Sequence, residues 1–278
     1  MPWGKGRYGG RKSVPYCLAR SEAIGDGNGP RKRGLPRSWR RRITQTVSQG
    51  IPKVGSSFAR GGRRRVIRIE PDGTTTVVAS QYHGRRLNRP NDVVVKSDGS
   101  IYFNDPGGPS PDTDLDYSGV YRVSQDLGDI NLLVRDYVLP NGLAFSPDES
   151  VLYINDSLGL LVRDDMFRSL GRIDAFDVRA NGMLANRRVF CELRGESSGI
   201  PDGMKVDVEG NVYCTGPGGV WVMDPTGKHL GTILTEVEHT TNMAWGGEDW
   251  KTLFITTFET LARIDLKIAG IPVPAQVY

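Results

Sequence analysis

The chain has 278 residues, of which 38% are hydrophobic, and a formal net charge of +4 at pH 7. This length is enough to bury one sizeable core in a single domain. No run of about eighteen apolar residues occurs, so we expect no transmembrane helix and no membrane partner. The three cysteines, Cys17, Cys191 and Cys214, show no C-x-x-C spacing. They therefore argue against a disulfide framework and a structural zinc site, and they favour a reducing, cytoplasmic compartment.

Residues 1–60 differ in composition from the rest of the chain. They contain 14 Lys and Arg residues and 2 Asp and Glu residues, whereas residues 61–278 contain 22 and 30. The segment is rich in Arg, Gly, Pro and Ser and has no alternating or helical apolar pattern. We therefore predict a basic segment of low order, not a packed domain.

Three interpretations of this basic segment compete: a tail for nucleic acid or anionic lipid, an export signal, or sequence without a physical role. Nucleic-acid binding would favour aromatic residues among the basic ones, but only Trp39 lies within the run at residues 27–45. The arginines at 40–42 precede ITQTVSQGIPKVG, which is too polar for the apolar region of an export signal. We predict no nucleic-acid partner.

A phrase recurs from about residue 90 onward: an apolar run, an acidic turn, and a strand that carries an aromatic residue. Its four copies are VVVKSDGSIYFNDP (93–106), LAFSPDESVLYINDS (143–157), MKVDVEGNVYCTGP (204–217) and MAWGGEDWKTLFITTF (243–258). The turns and the flanking Val, Ile, Tyr and Thr residues are typical of antiparallel hairpins. The aromatic residues Tyr102, Tyr153, Tyr213 and Phe254 are roughly 40 to 60 residues apart, which is the period of propeller blades. The pattern predicts an all-β propeller.

Three turn segments place a side-chain oxygen beside Pro or Gly: RPND (89–92), LPNGL (139–143) and IPDGM (200–204). We expect Pro to restrict the chain and Gly to let it reverse, which would hold Asn91, Asn141 and Asp202 at blade ends. Equivalent blade ends converge on the central channel of a propeller, and amide and carboxylate oxygens suit Ca²⁺ or Mg²⁺. Alternatively, each segment taken alone is an ordinary hairpin turn.

Two other kinds of site are disfavoured. The three histidines, at 83, 229 and 239, lack the spacings of zinc sites. The segment GESSG at residues 195–199 fits the G-x-S-x-G pattern of serine hydrolases, with Ser197 as the nucleophile. That motif requires a strand, a sharp turn and a helix, but Pro201 and Gly203 follow at once and argue against the helix.

The chain resembles the SMP-30/gluconolactonase/luciferin-regenerating-enzyme-like family from about residue 61 to the carboxyl end. The resemblance is carried by RPNDVVVKSDGSIYFNDP, LPNGLAFSPDESVLYINDS, GIPDGMKVDVEGNVYCTGPGGVWVMDPTGKHLGTI and TNMAWGGEDWKTLFITTFETLARIDLKIAGIPVP. It implies an all-β, six-bladed β-propeller that binds a divalent cation in its central channel and hydrolyses a small-molecule sugar lactone. Ca²⁺ is the expected cation, with Mg²⁺, Mn²⁺ or Zn²⁺ as alternatives. A propeller that acts as a non-catalytic binding scaffold is the alternative function, since propellers serve many functions.

The resemblance also implies roles for individual residues. Asn141 and Asp202 match metal ligands, Asn91 matches a polar channel residue that contacts metal-bound water or substrate and is also a candidate ligand, and Arg89 matches a substrate-binding arginine. The cation would polarise the lactone carbonyl, and Asp202 would act as the catalytic general base. Asp105 in NDP and Asp156 in NDS would either support the ligands or cap strand ends.

The chain departs from the family pattern at its amino end. Family members open with an E-G-P segment whose Glu is a metal ligand, but Glu22 is the only glutamate before Glu70 and has no Gly-Pro neighbour. We therefore expect a missing or degraded first blade, with the division at 1–60 and 61–278. An altered or out-of-frame reading of the first blade would give such a sequence. Its loss would expose two sheet edges, weaken the cation site and place the hydrolase activity in question.

Overall fold

The chain folds almost entirely into β-structure. The computed structural model describes residues 47–48, 56–108, 112–158, 171–235, 237 and 239–272. Within these ranges it contains 21 strands and one short 3-10 helix, Gly61–Arg63. No helix in the described ranges is long and apolar enough to cross a membrane. The prediction of an all-β fold is confirmed.

The strands are numbered in chain order. They are β1 Val47–Ser48, β2 Ser56–Arg60, β3 Arg65–Ile69, β4 Thr75–Ala79, β5 Gln81–Tyr82, β6 Arg85–Arg86, β7 Val93–Val95, β8 Ile101–Asp105, β9 Gly119–Val123, β10 Ile130–Val134, β11 Pro140–Phe145, β12 Val151–Asp156, β13 Gly171–Val178, β14 Leu184–Leu193, β15 Met204–Val206, β16 Val212–Gly216, β17 Gly219–Met223, β18 His229–Leu234, β19 Thr240–Gly246, β20 Thr252–Thr257 and β21 Leu261–Asp265.

Consecutive strands of the described chain pair antiparallel to form separate sheets. Four sheets have four strands each, β1–β4, β7–β10, β11–β14 and β15–β18, and are called sheets 1 to 4; β19–β21 form the three-stranded sheet 5, and β5 and β6 form a separate ribbon. The first hairpins of sheets 2 to 5 have corresponding registers, with the pairs Val93 and Phe103, Leu143 and Ile154, Met204 and Cys214, and Met243 and Ile255. The four recurring phrases are therefore the first hairpins of successive sheets, as predicted.

The recurring aromatic residues pack between one sheet and the next. Tyr102 of sheet 2 contacts Phe145 of sheet 3 with ring centroids 5.1 Å apart, and Tyr213 of sheet 4 contacts Trp245 of sheet 5 at 4.8 Å. Tyr153 of sheet 3 belongs to an apolar cluster that includes Met204 of sheet 4. The aromatic residue recurs in the sequence because each sheet must cover the face of its neighbour.

The first strands of successive sheets lie against one another. Strand β7 contacts β11, β11 contacts β15, β15 contacts β19, and both β1 and β2 contact β7. Antiparallel sheets that pack face to face around their first strands form the arrangement of a propeller. The number of six blades and the loss of the first blade stay predictions.

Sheet 1 draws on residues that precede the predicted division at residue 61. Its first two strands, Val47–Ser48 and Ser56–Arg60, pair with each other, and Ser56–Arg60 then pairs along its whole length with Arg65–Ile69. Most of residues 1–55 lies outside the described residues. The division at residue 61 and the altered first blade therefore stay predictions.

The tight turns of the repeat use the residues that the sequence indicated. In the turn after β7, Gly99 has a φ of +85° and its N–H donates to the Lys96 carbonyl at 2.9 Å. The Asp98 carboxylate accepts the Ser100 N–H at 2.8 Å, which closes the turn from the side chain. In the next sheet, Glu149 takes the left-handed conformation with a φ of +57°. These turns lie at the end of the hairpins opposite to the predicted site.

Candidate functional site

The three X-Pro-[Asn/Asp] segments meet at the starts of neighbouring first strands. Residues 89–92 lead into β7, Pro140 begins β11, and residues 200–203 lead into β15. The Asn91 Nδ2 donates to Asn141 Oδ1 at 2.6 Å, and the Asn141 Nδ2 donates to Ser157 Oγ at 3.2 Å. The Asn141 side chain also lies close enough to the Asp202 carboxyl group to lower its pKa. The structure therefore brings together Asn91, Asn141 and Asp202, which are separated by 50 or more residues in the sequence but come from three consecutive sheets. All three are only partly buried.

Asp202 has an unusual electrostatic environment. Burial and the nearby Asp92 carboxylate raise the pKa of Asp202 from 3.8 to about 7, although the Asn141 side chain and the charge of Lys205 act in the opposite direction. A carboxyl group with this pKa is poised to exchange a proton near neutral pH. It is also a group whose charged form a bound cation would stabilise.

Asp92 is a site residue that the sequence reasoning missed. Its side chain is buried, and its carboxylate accepts the Val93 N–H at 2.8 Å and the Leu143 N–H of sheet 3 at 3.0 Å. The available signal was its position, because Asp92 follows Asn91 where the other two segments have Gly142 and Gly203. It places a second carboxylate beside Asp202.

Gly142 and Gly203 are required for close packing of the sheets. A Cβ on Gly142 would lie 2.3 Å from the Asp202 carbonyl oxygen, and a Cβ on Gly203 would lie 2.2 Å from Asn242 Oδ1 of sheet 5. Neither glycine has a positive φ, and Gly142 lies within strand β11. The expectation that these glycines reverse the chain is therefore wrong, because they instead let neighbouring first strands approach.

Asp105 and Asp156 hold the segments that precede the site residues. Asp105 accepts the N–H groups of Asn88 at 2.7 Å and Arg89 at 2.5 Å. In the next sheet, Asp156 accepts the N–H groups of residues 138 and 139 at 3.0 and 2.8 Å. The sequence left two roles open for these aspartates, support of the ligands or a strand cap. The hydrogen bonds support the second role, because each carboxylate caps the backbone that leads into a strand.

The side chain of Arg89 is exposed. Arg89 lies two residues before Asn91, and its guanidinium makes no hydrogen bond to Asn91, Asn141 or Asp202. Asp105 fixes the backbone of Arg89, while the side chain stays in contact with solvent.

The side-chain atoms at the site that could ligate a metal ion are oxygens. Two amides and one carboxylate from three sheets match the ligand type of a hard cation such as Ca²⁺. The described part of the chain contains no group of three or more His, Cys, Asp or Glu side chains placed to hold a metal ion. A cation held by these three residues would be ligated mainly by amide oxygens, with one carboxylate. Glu22, which lacks the Gly-Pro neighbour of the family's Glu ligand, lies outside the described residues.

Ser197 has no hydrolase arrangement around it. Residues 194–203 form a connection that leads from β14 into strand β15, and no helix follows Ser197 in the described segment 171–235. The helix that the motif requires is therefore missing from this described segment.

Comparisons with known proteins identify the family. The family model of the SMP-30/Gluconolactonase/LRE-like region matches residues 38–259. A gluconolactonase from Zymomonas mobilis is 33% identical over 226 residues, which is 76% of this chain and 60% of the relative. The chain thus spans less than two thirds of that relative.

Solved structures agree with this assignment. A gluconolactonase from Xanthomonas campestris is 34% identical, with a TM-score of 0.64 over 76% of this chain and 68% of that chain. A calcium-binding regucalcin from Agrobacterium tumefaciens shares the fold at 20% identity, with a TM-score of 0.64 over 84% of this chain and 79% of that chain. The family match covers most of the chain and starts before the predicted boundary at residue 61. The chain belongs to the SMP-30/gluconolactonase/LRE-like family.

Proposed function

We propose that this protein is a divalent-cation-dependent hydrolase that opens a sugar lactone by addition of water. The observation that carries the proposal is the close placement of Asn91, Asn141 and Asp202, which three consecutive sheets contribute. The similarity to gluconolactonases supports lactones as the substrate class. A small-molecule lactone is the only partner that we propose.

Asn141 and Asp202, with Asn91, would hold the cation. When bound, the cation supplies electrostatic stabilisation for the negative charge that develops on the lactone carbonyl oxygen. Ca²⁺ is the first candidate because the available donors are amide and carboxylate oxygens; Mg²⁺, Mn²⁺ and Zn²⁺ are alternatives. One relative by fold is a calcium-binding protein.

The chain's own residues would manage the proton and the substrate. Asp202 would accept the proton of the attacking water, because burial and Asp92 keep its pKa near 7. Asn141 would favour the charged form of that carboxyl group, because its side chain lowers the pKa of Asp202. The exposed guanidinium of Arg89 would contact substrate oxygens, on a backbone held by Asp105.

The amino-terminal segment bears on the strength of the site. We propose that residues 1–60 contain an altered first blade and that the family's Glu ligand is absent, which would weaken cation binding because Ca²⁺ affinity depends on ligand charge and number. We also propose a cytoplasmic location, because Cys191 and Cys214 are both free thiols in the described chain.

The test is a titration of the purified full-length chain with Ca²⁺ by calorimetry, followed by glucono-δ-lactone hydrolysis with and without chelator. Asp202→Ala should abolish binding and hydrolysis, whereas Asp224→Ala, which removes a carboxylate from the turn between β17 and β18, should change neither. Hydrolysis that persists in chelator, or an active Asp202→Ala variant, would contradict the mechanism. Absence of both binding and hydrolysis in the wild-type chain would leave the scaffold function.

A further inference from the structure

We infer that two buried asparagines, Asn104 and Asn155, are positioning residues that set the spacing of the site segments across neighbouring sheets. This inference rests on the proposed function of the site. Neither asparagine contacts the solvent, and neither was singled out by the sequence analysis. Both occupy the same place in the repeat, two residues after Tyr102 and Tyr153.

Asn155 connects the segments that carry Asn141 and Asp202. Its Oδ1 accepts the N–H of Gly142, the residue that follows Asn141, at 3.1 Å. Its Nδ2 crosses to sheet 4 and donates to the Asp202 carbonyl oxygen at 2.8 Å. One planar side chain therefore fixes the backbone of one candidate ligand relative to the backbone of the next.

Asn104 makes the same connection one sheet earlier. Its Oδ1 accepts the N–H of Asp92, the residue that follows Asn91, at 3.0 Å, and its Nδ2 donates to the Asn141 carbonyl oxygen. The same connection is therefore repeated in two successive sheets. The two amides together link the segments of Asn91, Asn141 and Asp202 in series.

The next sheet lacks such a side chain. The corresponding position in β16 is Thr215, whose hydroxyl accepts the Asp202 N–H at 2.7 Å within its own sheet. The link from sheet 4 to sheet 5 is instead made by the backbone, where the Gly203 N–H donates to the Thr241 carbonyl at 2.8 Å. Within the described chain, these amide connections therefore lie between the sheets that supply the three site residues.

Because both side-chain amides are buried, each depends on its protein hydrogen-bond partners. A buried amide that loses a partner leaves unpaired polar groups, so the bonded arrangement is strongly preferred over displaced ones. In metal sites, partners that orient the ligands typically contribute about 10–100-fold to affinity. We therefore expect Asn155 to affect the site more than its effect on overall stability would suggest.

The test compares Asn155→Thr with Asn211→Thr in the full-length chain. Threonine already occupies the corresponding position in sheets 4 and 5, at Thr215 and Thr256, so the first variant is compatible with the fold, but it is too short to reach Asp202. Asn211 is also buried and bonded, at 2.8 Å to Asp207, but it lies at the opposite end of β15 and β16.

With Ca²⁺ as the probe in calorimetry, Asn155→Thr should weaken binding about 10–100-fold. Its kcat for glucono-δ-lactone should fall with it, whereas Asn211→Thr should retain both values despite a similar loss of melting temperature. Equal Ca²⁺ affinities in Asn155→Thr and wild type would overturn the inference while leaving the proposed function intact.

A wild-type chain that neither binds Ca²⁺ nor hydrolyses the lactone would contradict the proposed function instead. Amide hydrogen exchange then decides the inference. Exchange at residues 200–204 should accelerate in Asn155→Thr and not in Asn211→Thr. Unchanged exchange at these residues in Asn155→Thr would overturn the positioning role.

Discussion

Asp105 is a buried carboxylate whose hydrogen-bond partners are backbone N–H groups. Burial raises its pKa from 3.8 to about 6, although the N–H groups of Asn88 and Arg89 and the charge of Arg64 act in the opposite direction. The folded protein thus holds this proton at a pH where the unfolded chain has released it. Ionisation of Asp105 therefore costs folding free energy as the pH rises through this range.

The substitution Asp105→Asn should reveal this cost as a pH dependence. As the pH rises from about 4 to about 7, the stability of wild type relative to the variant should fall by up to about 3 kcal/mol, since one pKa unit corresponds to about 1.4 kcal/mol. Urea denaturation of both proteins in chelator measures this difference. Asp126→Asn is the control: hydrogen bonds from Ser124 and Gly128 lower the pKa of Asp126, so its contribution has the opposite sign. A pH-independent difference for Asp105→Asn would contradict the assignment.

At the scale of elements, the first strands determine the geometry of the site. Their spacing depends on glycines, which lack a Cβ that would clash with the next sheet, and on the side-chain amides that bond from one sheet to the next. Strand β11 can therefore lie against the start of β15 only because Gly142 leaves room for the Asp202 carbonyl. Local turn chemistry plays no part in this requirement.

Gly142→Ala should separate β11 from β15. The added methyl would overlap the Asp202 carbonyl oxygen, so we expect a loss of about 1–3 kcal/mol in the free energy of unfolding and weaker Ca²⁺ binding. Gly231→Ala is the matched control, since it adds the same methyl to strand β18 with no atom within 4 Å. Urea denaturation and calorimetry measure the two effects. Equal stabilities of the two variants would disprove the packing role of Gly142.

At the scale of the whole molecule, the buried apolar contacts of the described chain lie between neighbouring sheets. Each of the four apolar clusters in the described chain joins side chains of neighbouring sheets, so no sheet has a core of its own. A sheet that lost its neighbour would expose one apolar face to water. Unfolding of the five sheets should consequently be cooperative.

Leu152→Ala tests this organisation. Leu152 is fully buried in the cluster between sheets 2 and 3, and its truncation should destabilise the protein by about 2–5 kcal/mol. Val189→Ala on the outer strand β14 should cost about 0.5 kcal/mol or less, because Val189 is 56% exposed. Tryptophan fluorescence, to which Trp221 and Trp245 in sheets 4 and 5 contribute, and circular dichroism should show the same transition. Separate transitions would contradict a shared core.

The sequence by itself determined the strands, the turns and the period of the fold. These features depend on neighbours in the chain: Asp98 and Gly99 close the turn after β7 through local hydrogen bonds, and one aromatic residue per phrase predicts one covered face per sheet. The sequence also singled out Asn91, Asn141 and Asp202, because three similar segments occupied the same place in the repeat.

Only the tertiary structure decided which groups act on one another. Asp92 raises the pKa of Asp202 across 110 positions of sequence, and Asn155 reaches Asp202 across 47. The glycines that suggested turns proved to serve the approach of another sheet. Such contacts have no local signal, because the energy of a buried charge, an amide bond or a missing Cβ depends on what the fold places beside it.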